Sequence, residues 1–335
     1  MTKAVFVTQQ IDPAHPNLGA ATGLVRALAG RVDEVAVLAL HAVPGVLPAN
    51  CRVREFGASS QALRGARFES ALVRELSPRP SIVIAHMSPI YAVLAAPMCR
   101  PLGIPVVLWF THWRSSPILR AAERVSTAVA TVDPSSFPFA SRKVRAIGHG
   151  IDVSELPCRP DPGTLHLLAL GRTSPAKGLE AVIDGVRRAQ ATGLAIQLEI
   201  RGPSETEEER AYRARLAELA GHGVTVEEPV PHSELPQVFA RADLLVNAAA
   251  EGSLDKSVFE ACASCVPVLA SNPGFAGLLP PELLFTRGDA AGIAERIAAF
   301  AARTDRAALG HELRARVERS HSAASWADAI LALGR

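Results

Sequence analysis

In the segment Gly171-Arg172-Thr173-Ser174-Pro175-Ala176-Lys177-Gly178, two glycines and two cations separate an apolar run, Leu165–Leu170, from an amphipathic stretch. If the run is a strand and the stretch a helix, Arg172 and Lys177 stand at a sheet edge beside a helix N-terminus. Helix-end amides and two fixed charges favour an anion there, and the ligand they suit is a phosphate. A solvated loop is the competing reading. Further on, LVNAAAEGSLDKSVFEACASCVPVLAS again joins an apolar run to a Gly-Ser loop and a helix that Ser253 or Asp255 could cap. Lys256 falls in its first turn and Glu260 one turn deeper. A carboxylate at Glu260 can accept two hydrogen bonds from a ribose diol. Alternatively Glu260 pairs with Lys256, four residues before it on the same helix face.

Other chemistry is disfavoured by what the motifs lack. The first apolar run leads into a long loop with Gly19 and Gly23 rather than G-x-G-x-x-G, which argues against a nicotinamide or flavin site. There is no G-x-x-x-x-G-K-[ST], no H-E-x-x-H and no D-x-D pair, so the chemistry is expected to be metal-free, with no cofactor. His112 ends a strand in Trp109-Phe110-Thr111-His112, with a structural histidine as the competing reading, and His86 ends another, where a structural role is as good a reading as a place beside a ligand.

The elements that must position these residues are short apolar runs alternating with helical stretches. Strands are expected at 4–7, 35–40, 81–85, 106–110, 127–132, 165–170, 196–200, 224–227, 244–247, 266–270 and 283–285. Continuous apolar strands separated by helices indicate parallel sheets covered on both faces. Two such series, joined by the Pro-rich stretch 151–163, predict an α/β chain of two doubly wound domains facing each other across a cleft. Ligands in such sheets sit beyond the carboxyl ends of strands, where the motifs above fall.

A chain of 335 residues suits two domains of roughly 100 to 200 residues each. The net charge of +2 hides an asymmetry: residues 1–150 hold 16 Lys+Arg against 8 Asp+Glu, and residues 151–335 hold 19 against 25. All but four of the cations are Arg, and the lysines are Lys3, Lys143, Lys177 and Lys256. The basic half includes a possible helix at 62–76 with Leu63, Phe68, Leu72 and Val73 among Arg64, Arg67 and Arg74. Such a helix can lie on an anionic membrane, or can be a core helix with a solvated Arg face. Nucleic acid is a poor partner, because the cations are dispersed and aromatics make up 5% of the chain. The five cysteines, Cys51, Cys99, Cys158, Cys262 and Cys265, read as reduced thiols of a cytoplasmic protein, with Cys262 and Cys265 as buried small residues. No signal peptide and no uninterrupted apolar run of about 18 residues is evident.

Taken together, Gly-Arg-(x)4-Lys-Gly after one strand and Glu-Gly through Glu-Ala to Pro-Val after a later one resemble the retaining glycosyltransferases of family 4, the group 1 set with the GT-B fold. Gly148-His149-Gly150-Ile151-Asp152, Ile200-Arg201-Gly202, 239–247 (FARADLLVN) and a last helix containing Trp326 support the resemblance, which is strong over 145–335 and looser before it. It implies an acceptor-binding Rossmann-like domain over 1–150, joined by the C-terminal helix at about 318–335, and a donor-binding one over 151–317. It implies that Arg172 and Lys177 hold the diphosphate of a UDP- or GDP-type sugar donor and that Glu260 binds its ribose. By the same resemblance Gly19 borders the donor phosphates and His112 lies near the transferred sugar. Eight residues separate Glu251 from Glu260 where the family has seven, so the amides of Gly252 and Ser253 replace Glu251 as the expected sugar contacts. The activity implied is metal-independent transfer, with retention, from a nucleotide-diphosphate sugar. The acceptor is expected to be anionic or lipid-linked and met by the basic half, with peripheral contact at the inner membrane face. A nucleotide-sugar-binding partner subunit without transfer, and a GT-B epimerase, are the alternatives.

Overall fold

The computed structural model of the chain describes residues 2–15, 18–158, 165–252 and 254–334. It divides into two compact units, Met1–Asp152 with Pro231–Ser233 and Ser320–Arg335, and Val153–Val230 with Glu234–Arg319.

The first unit runs β1 (Lys3–Ile11), α1 (Ala21–Ala29), β2 (Glu34–Ala42), β3 (Cys51–Glu55), α2 (Gln61–Glu75), β4 (Ile82–His86), α3 (Pro89–Cys99), β5 (Val106–Trp109), α4 (Pro117–Val125), β6 (Ala128–Thr131) and β7 (Val144–Ala146). Among the described residues the strands form one parallel sheet in the order β3-β2-β1-β4-β5-β6-β7. Central strands are buried on both faces because their side chains are apolar on both; Val5, for instance, pairs with Ala36 on one side and Val83 on the other. Ser60 and Ser116 cap α2 and α4, accepting from the amides of Leu63 and Leu119. In α2, Phe68 and Leu72 are buried in the core while Leu63 and Val73 face outward, 45% and 54% exposed.

One charged side chain is buried in β1. Lys3, 1% exposed, donates to Glu75 at 2.7 Å; Glu75 is itself fully buried and also takes a hydrogen bond from Arg54. Two cations satisfy the carboxylate, which is what permits the burial.

The second unit follows as β8 (Leu165–Leu170), α5 (Leu179–Ala191), β9 (Ile196–Arg201), α6 (Glu207–Leu219), β10 (Val224–Glu227), α7 (Leu235–Phe239), β11 (Leu244–Asn247), α8 (Lys256–Ala263), β12 (Val268–Ala270), α9 (Ala290–Ala301) and α10 (Arg306–Ser320). Its sheet is parallel in the order β10-β9-β8-β11-β12. The chain then enters α11 (Ala323–Ala332), which packs on α1 in the first unit. There the fully buried Trp326 meets Phe6 and Trp109 edge-on, with ring centroids at 6.4 and 5.9 Å.

Two expectations about strands need correction. Strands β3 and β7 were not expected, because each is a short edge strand whose arginines, Arg52 and Arg54 in β3 and Arg145 in β7, interrupt the apolar pattern by which a strand is read. Residues 283–285 are not a strand; only Leu284 makes an isolated bridge, to Ala270. The cysteines also differ from expectation. Cys158 and Cys265 form a disulfide with Cα atoms 5.0 Å apart, while Cys51, Cys99 and Cys262 are free thiols. The fold brings Cys158 to the end of α8, a proximity that a separation of 107 residues concealed.

Candidate functional site

In the second sheet the chain runs outward from β8 through β9 to β10 and then crosses back to β11 on the other side of β8. The crevice at this switch point, beyond the carboxyl ends of β8 and β11, is where doubly wound sheets hold ligands. Lys177 follows β8, and Gly252 and the α8 residues Lys256 and Glu260 follow β11.

The two loops are joined by backbone. Ala250 N–H donates to Ala176 O at 3.0 Å, and Ser257 Oγ on α8 donates to Leu170 O at 3.1 Å. Gly178 has φ +59°, and a Cβ there would lie 2.8 Å from Ala248 O, so the position demands glycine twice over. A Cβ at Gly202, after β9, would collide with Gly171 O, which closes the turn carrying Arg172 against its neighbour.

Around this crevice the charges are matched. Lys177 Nζ lies 2.5 Å from Asp255 Oδ2, and Asn247 Nδ2 donates to the same oxygen at 2.8 Å. Asn247 is 5% exposed, and its Oδ1 has no hydrogen-bond partner among the described residues; the same holds for the hydroxyl of buried Ser174. Buried acceptors and hydroxyls left unpaired at a sheet switch point are positions for a ligand to satisfy. Lys256 Nζ reaches Glu260 Oε1 at 2.6 Å, so the one-turn ion pair forms, and Glu260 is buried with it. Arg172 is half exposed, with Nε 3.1 Å from Glu209 Oε1 and Nη1 3.4 Å from Glu205 Oε2. Arg287 reaches the Lys177 loop, donating to Pro175 O at 3.4 Å and Ala176 O at 3.5 Å.

The second unit thus brings Lys177, Glu260 and Gly252 to the ends of one strand pair, with Arg172 on the adjoining turn. Ser253 lies outside the described residues. Asp255 starts α8 without a side-chain cap, because Lys177 and Asn247 engage its carboxylate instead. Asp255 as a partner of Lys177, Asn247, and Arg287 were missed. An acid two residues past a Gly-Ser loop, in a chain with four lysines, was the available signal for the first.

Gly19 and His112 belong to the first unit, on loops after β1 and β5. Gly19 has no room for a side chain, since a Cβ would sit 2.8 Å from both Pro13 O and His15 O. His112 is exposed; its Nδ1 accepts from Arg114 N–H at 3.0 Å and its ring stacks on Trp113 at 5.7 Å. His86, by contrast, is buried against Thr8 Oγ1 at 3.0 Å and stacks on Phe6, a structural role. No helix among the described residues is long and apolar enough to cross a membrane.

Comparisons with known proteins bear on the family and the fold. Residues 164–303 match the family described as Glycosyl transferases group 1. The D-inositol 3-phosphate glycosyltransferase of Pseudarthrobacter chlorophenolicus is 28% identical over 155 residues, 45% of this chain and 35% of that protein, so the match spans about a third of the relative. In fold, the chain is similar to sucrose-phosphate synthase from Thermosynechococcus elongatus, with a TM-score of 0.75 at 16% identity over 98% of this chain and 97% of that one. It is likewise similar to Anabaena Alr3699/HepE, whose structure is a complex with UDP and glucose, with a TM-score of 0.74 at 17% identity over 98% of each chain.

Proposed function

Residues 164–303 are a group 1 glycosyl transferase domain within a GT-B chain, and from that premise we propose that the protein transfers a sugar, with retention, from a nucleotide-diphosphate sugar to an acceptor hydroxyl. The observation that carries the proposal is the Lys177–Asp255–Asn247 cluster at the β8/β11 switch point. Donor cleavage breaks the bond between the sugar's anomeric carbon and the diphosphate oxygen, and negative charge grows on that diphosphate. Lys177 and Arg172 neutralise it, together with the amides of the loop through Gly252; such preorganised groups act without the reorganisation that water would need. Glu260 accepts from the ribose hydroxyls, and His112 positions the transferred sugar. With the charge met by side chains and amides, the step is read as metal-independent.

The acceptor falls to the first unit, whose excess of basic residues suits an anionic or lipid-linked molecule; its binding should weaken as salt rises. HepE, a neighbour in fold, was solved with UDP and glucose, which makes UDP the first donor nucleotide to test.

The decisive experiment titrates the chain with UDP, GDP and ADP, then their sugars, and follows turnover in wild type and Lys177→Ala. Micromolar binding of one nucleotide, with turnover lost in Lys177→Ala, supports transfer. Binding without turnover across a panel of acceptors makes the chain a nucleotide-sugar-binding subunit, and binding of none removes the donor assignment.

A further inference from the structure

The chain first enters its second unit after Asp152, leaves it briefly for residues 231–233, and leaves it for the last time after Arg319. Within the second unit, the residues just after the first passage, the end of α8 and the helix α10 before the last passage meet around two sulfurs. Cys158 follows the first passage, and Cys265 ends the turn after α8 with φ +60°. His311 on α10 places Nδ1 3.5 Å from Cys265 Sγ, and Arg314, one turn on, places Nη1 3.8 Å from Cys158 Sγ. The Arg314 guanidinium also donates to Val153 O at 3.1 Å and to the carbonyls of Leu156 and Ala263.

Both sulfurs belong to half-buried residues, and His311 is exposed, so a small reagent can reach them. A cation beside a sulfur stabilises its thiolate, and the better a sulfur leaves as thiolate, the faster its disulfide exchanges. In the other cysteines burial wins: it pushes the Cys51 and Cys99 thiols up to about 11, and that of fully buried Cys262 higher still, against the opposing charge of Arg316.

We infer that Cys158 and Cys265, flanked by Arg314 and His311, are a thiol–disulfide exchange site for small-molecule thiols of the glutathione class, and that its state sets how firmly the end of α8 is tied to residues 153–158. In the exchange a thiolate of the reagent attacks Cys265 Sγ. The S–S bond breaks, Cys158 leaves as a thiolate beside the Arg314 guanidinium, and a mixed disulfide forms on Cys265. A second reagent thiolate attacks the reagent sulfur of that mixed disulfide and releases Cys265. Two electrons and two protons pass to the chain, and the reagent departs as its own disulfide. Arg314 keeps hold of Val153, Leu156 and Ala263 throughout, so the reduced chain retains the fold while losing the covalent tie. The helix so tied is the one that carries Lys256 and Glu260.

The test uses the whole chain and needs no sugar donor. Protein purified without reductant is trapped with N-ethylmaleimide, digested and mapped by mass spectrometry, then equilibrated in glutathione buffers from oxidised to reduced. The expected result is a linked Cys158–Cys265 peptide that opens within the glutathione series, together with a thermal midpoint lower by roughly 10 °C in the reduced form. Amide exchange across 256–264 should be at least threefold faster after reduction, and His311→Gln, which removes the group beside the sulfur released in the second step, should leave about threefold more mixed disulfide trapped on Cys265. Alkylation of both thiols under oxidising buffer, a zinc ion held between them, or a bond that glutathione leaves intact would each overturn the exchange site. Equal amide exchange in the two states would overturn the coupling to α8.

Discussion

The ammonium of Lys177 and the carboxylate of Asp255, 78 residues apart in sequence, meet at 2.5 Å where β8 and β11 end, with Asn247 sharing the carboxylate oxygen. The lysine is thus held before any ligand arrives, and a diphosphate must compete with Asp255 for it. Lys177→Met should weaken nucleoside diphosphate binding at least tenfold and slow transfer by roughly 10² to 10³. Asp255→Asn keeps an acceptor for Asn247 and removes the competing charge, so it should bind at least as tightly as wild type. Calorimetric titration of both variants decides; an equal loss in each would mean that the lysine works only when clamped by a carboxylate.

Glu260 is read as the ribose ligand. Hydrogen bonds to a charged acceptor contribute about 1.5–3 kcal/mol each, so wild type should prefer a ribonucleoside diphosphate over its 2′,3′-dideoxy analogue by at least tenfold. Glu260→Gln should erase most of that preference while Lys256→Met retains it. A preference that survives in Glu260→Gln places the ribose contact elsewhere.

The pair Lys3–Glu75 concerns stability alone. Burial by itself would raise the Glu75 carboxyl, but hydrogen bonds and charge from Lys3 and Arg54 outweigh it and hold the group below its ordinary 4.5. A depressed carboxyl adds stability that is complete above the unfolded value and fades as pH falls through the folded one. Glu75→Gln should cost about 3–5 kcal/mol by urea unfolding at neutral pH, and should flatten the acid limb below pH 4.5. Lys3→Met with Glu75→Leu should recover part of the loss, because the two fully buried charges leave together and Arg54, which loses its carboxylate, is 31% exposed.

His321 gives the opposite chemistry with the same sign. Burial pushes its ring down to about 4 from 6.5, against the opposing pull of Asp133. The ring is neutral in the fold, so its contribution is whole above 6.5 and erodes as pH drops toward 4. The thermal midpoint should fall between about pH 7 and pH 5 in wild type and fall less in His321→Gln; parallel curves would assign the loss to other groups.

Two parallel α/β series were legible because buried central strands are apolar on both faces, a pattern that survives without knowledge of neighbours. Strands β3 and β7 escaped because their pairing comes from the strand beside them rather than from their own residues. The motif glycines and cations of the second unit stood out for a similar local reason, each lying directly after a strand. Pairings across distance did not. Four lysines could be counted, yet only the fold shows that Lys3 is buried with Glu75 and that Lys143 donates to three carbonyls at the end of α4, at 2.8–2.9 Å, while Lys177 and Lys256 flank the crevice. The disulfide belongs to the same class, since nothing within several residues of Cys158 or Cys265 names the other.

Trp326 fills the space between Phe6 and Trp109, so the core of the first unit takes a residue translated after the whole of the second. On the ribosome the first 150 residues hold every residue of the core from Val5 to Phe137, while the side chains around Phe6 and α1 wait for Trp326. The last-made helix thus covers a face of the first-made sheet, and until Trp326 emerges the nascent chain carries an apolar slot beside Phe6 and Trp109.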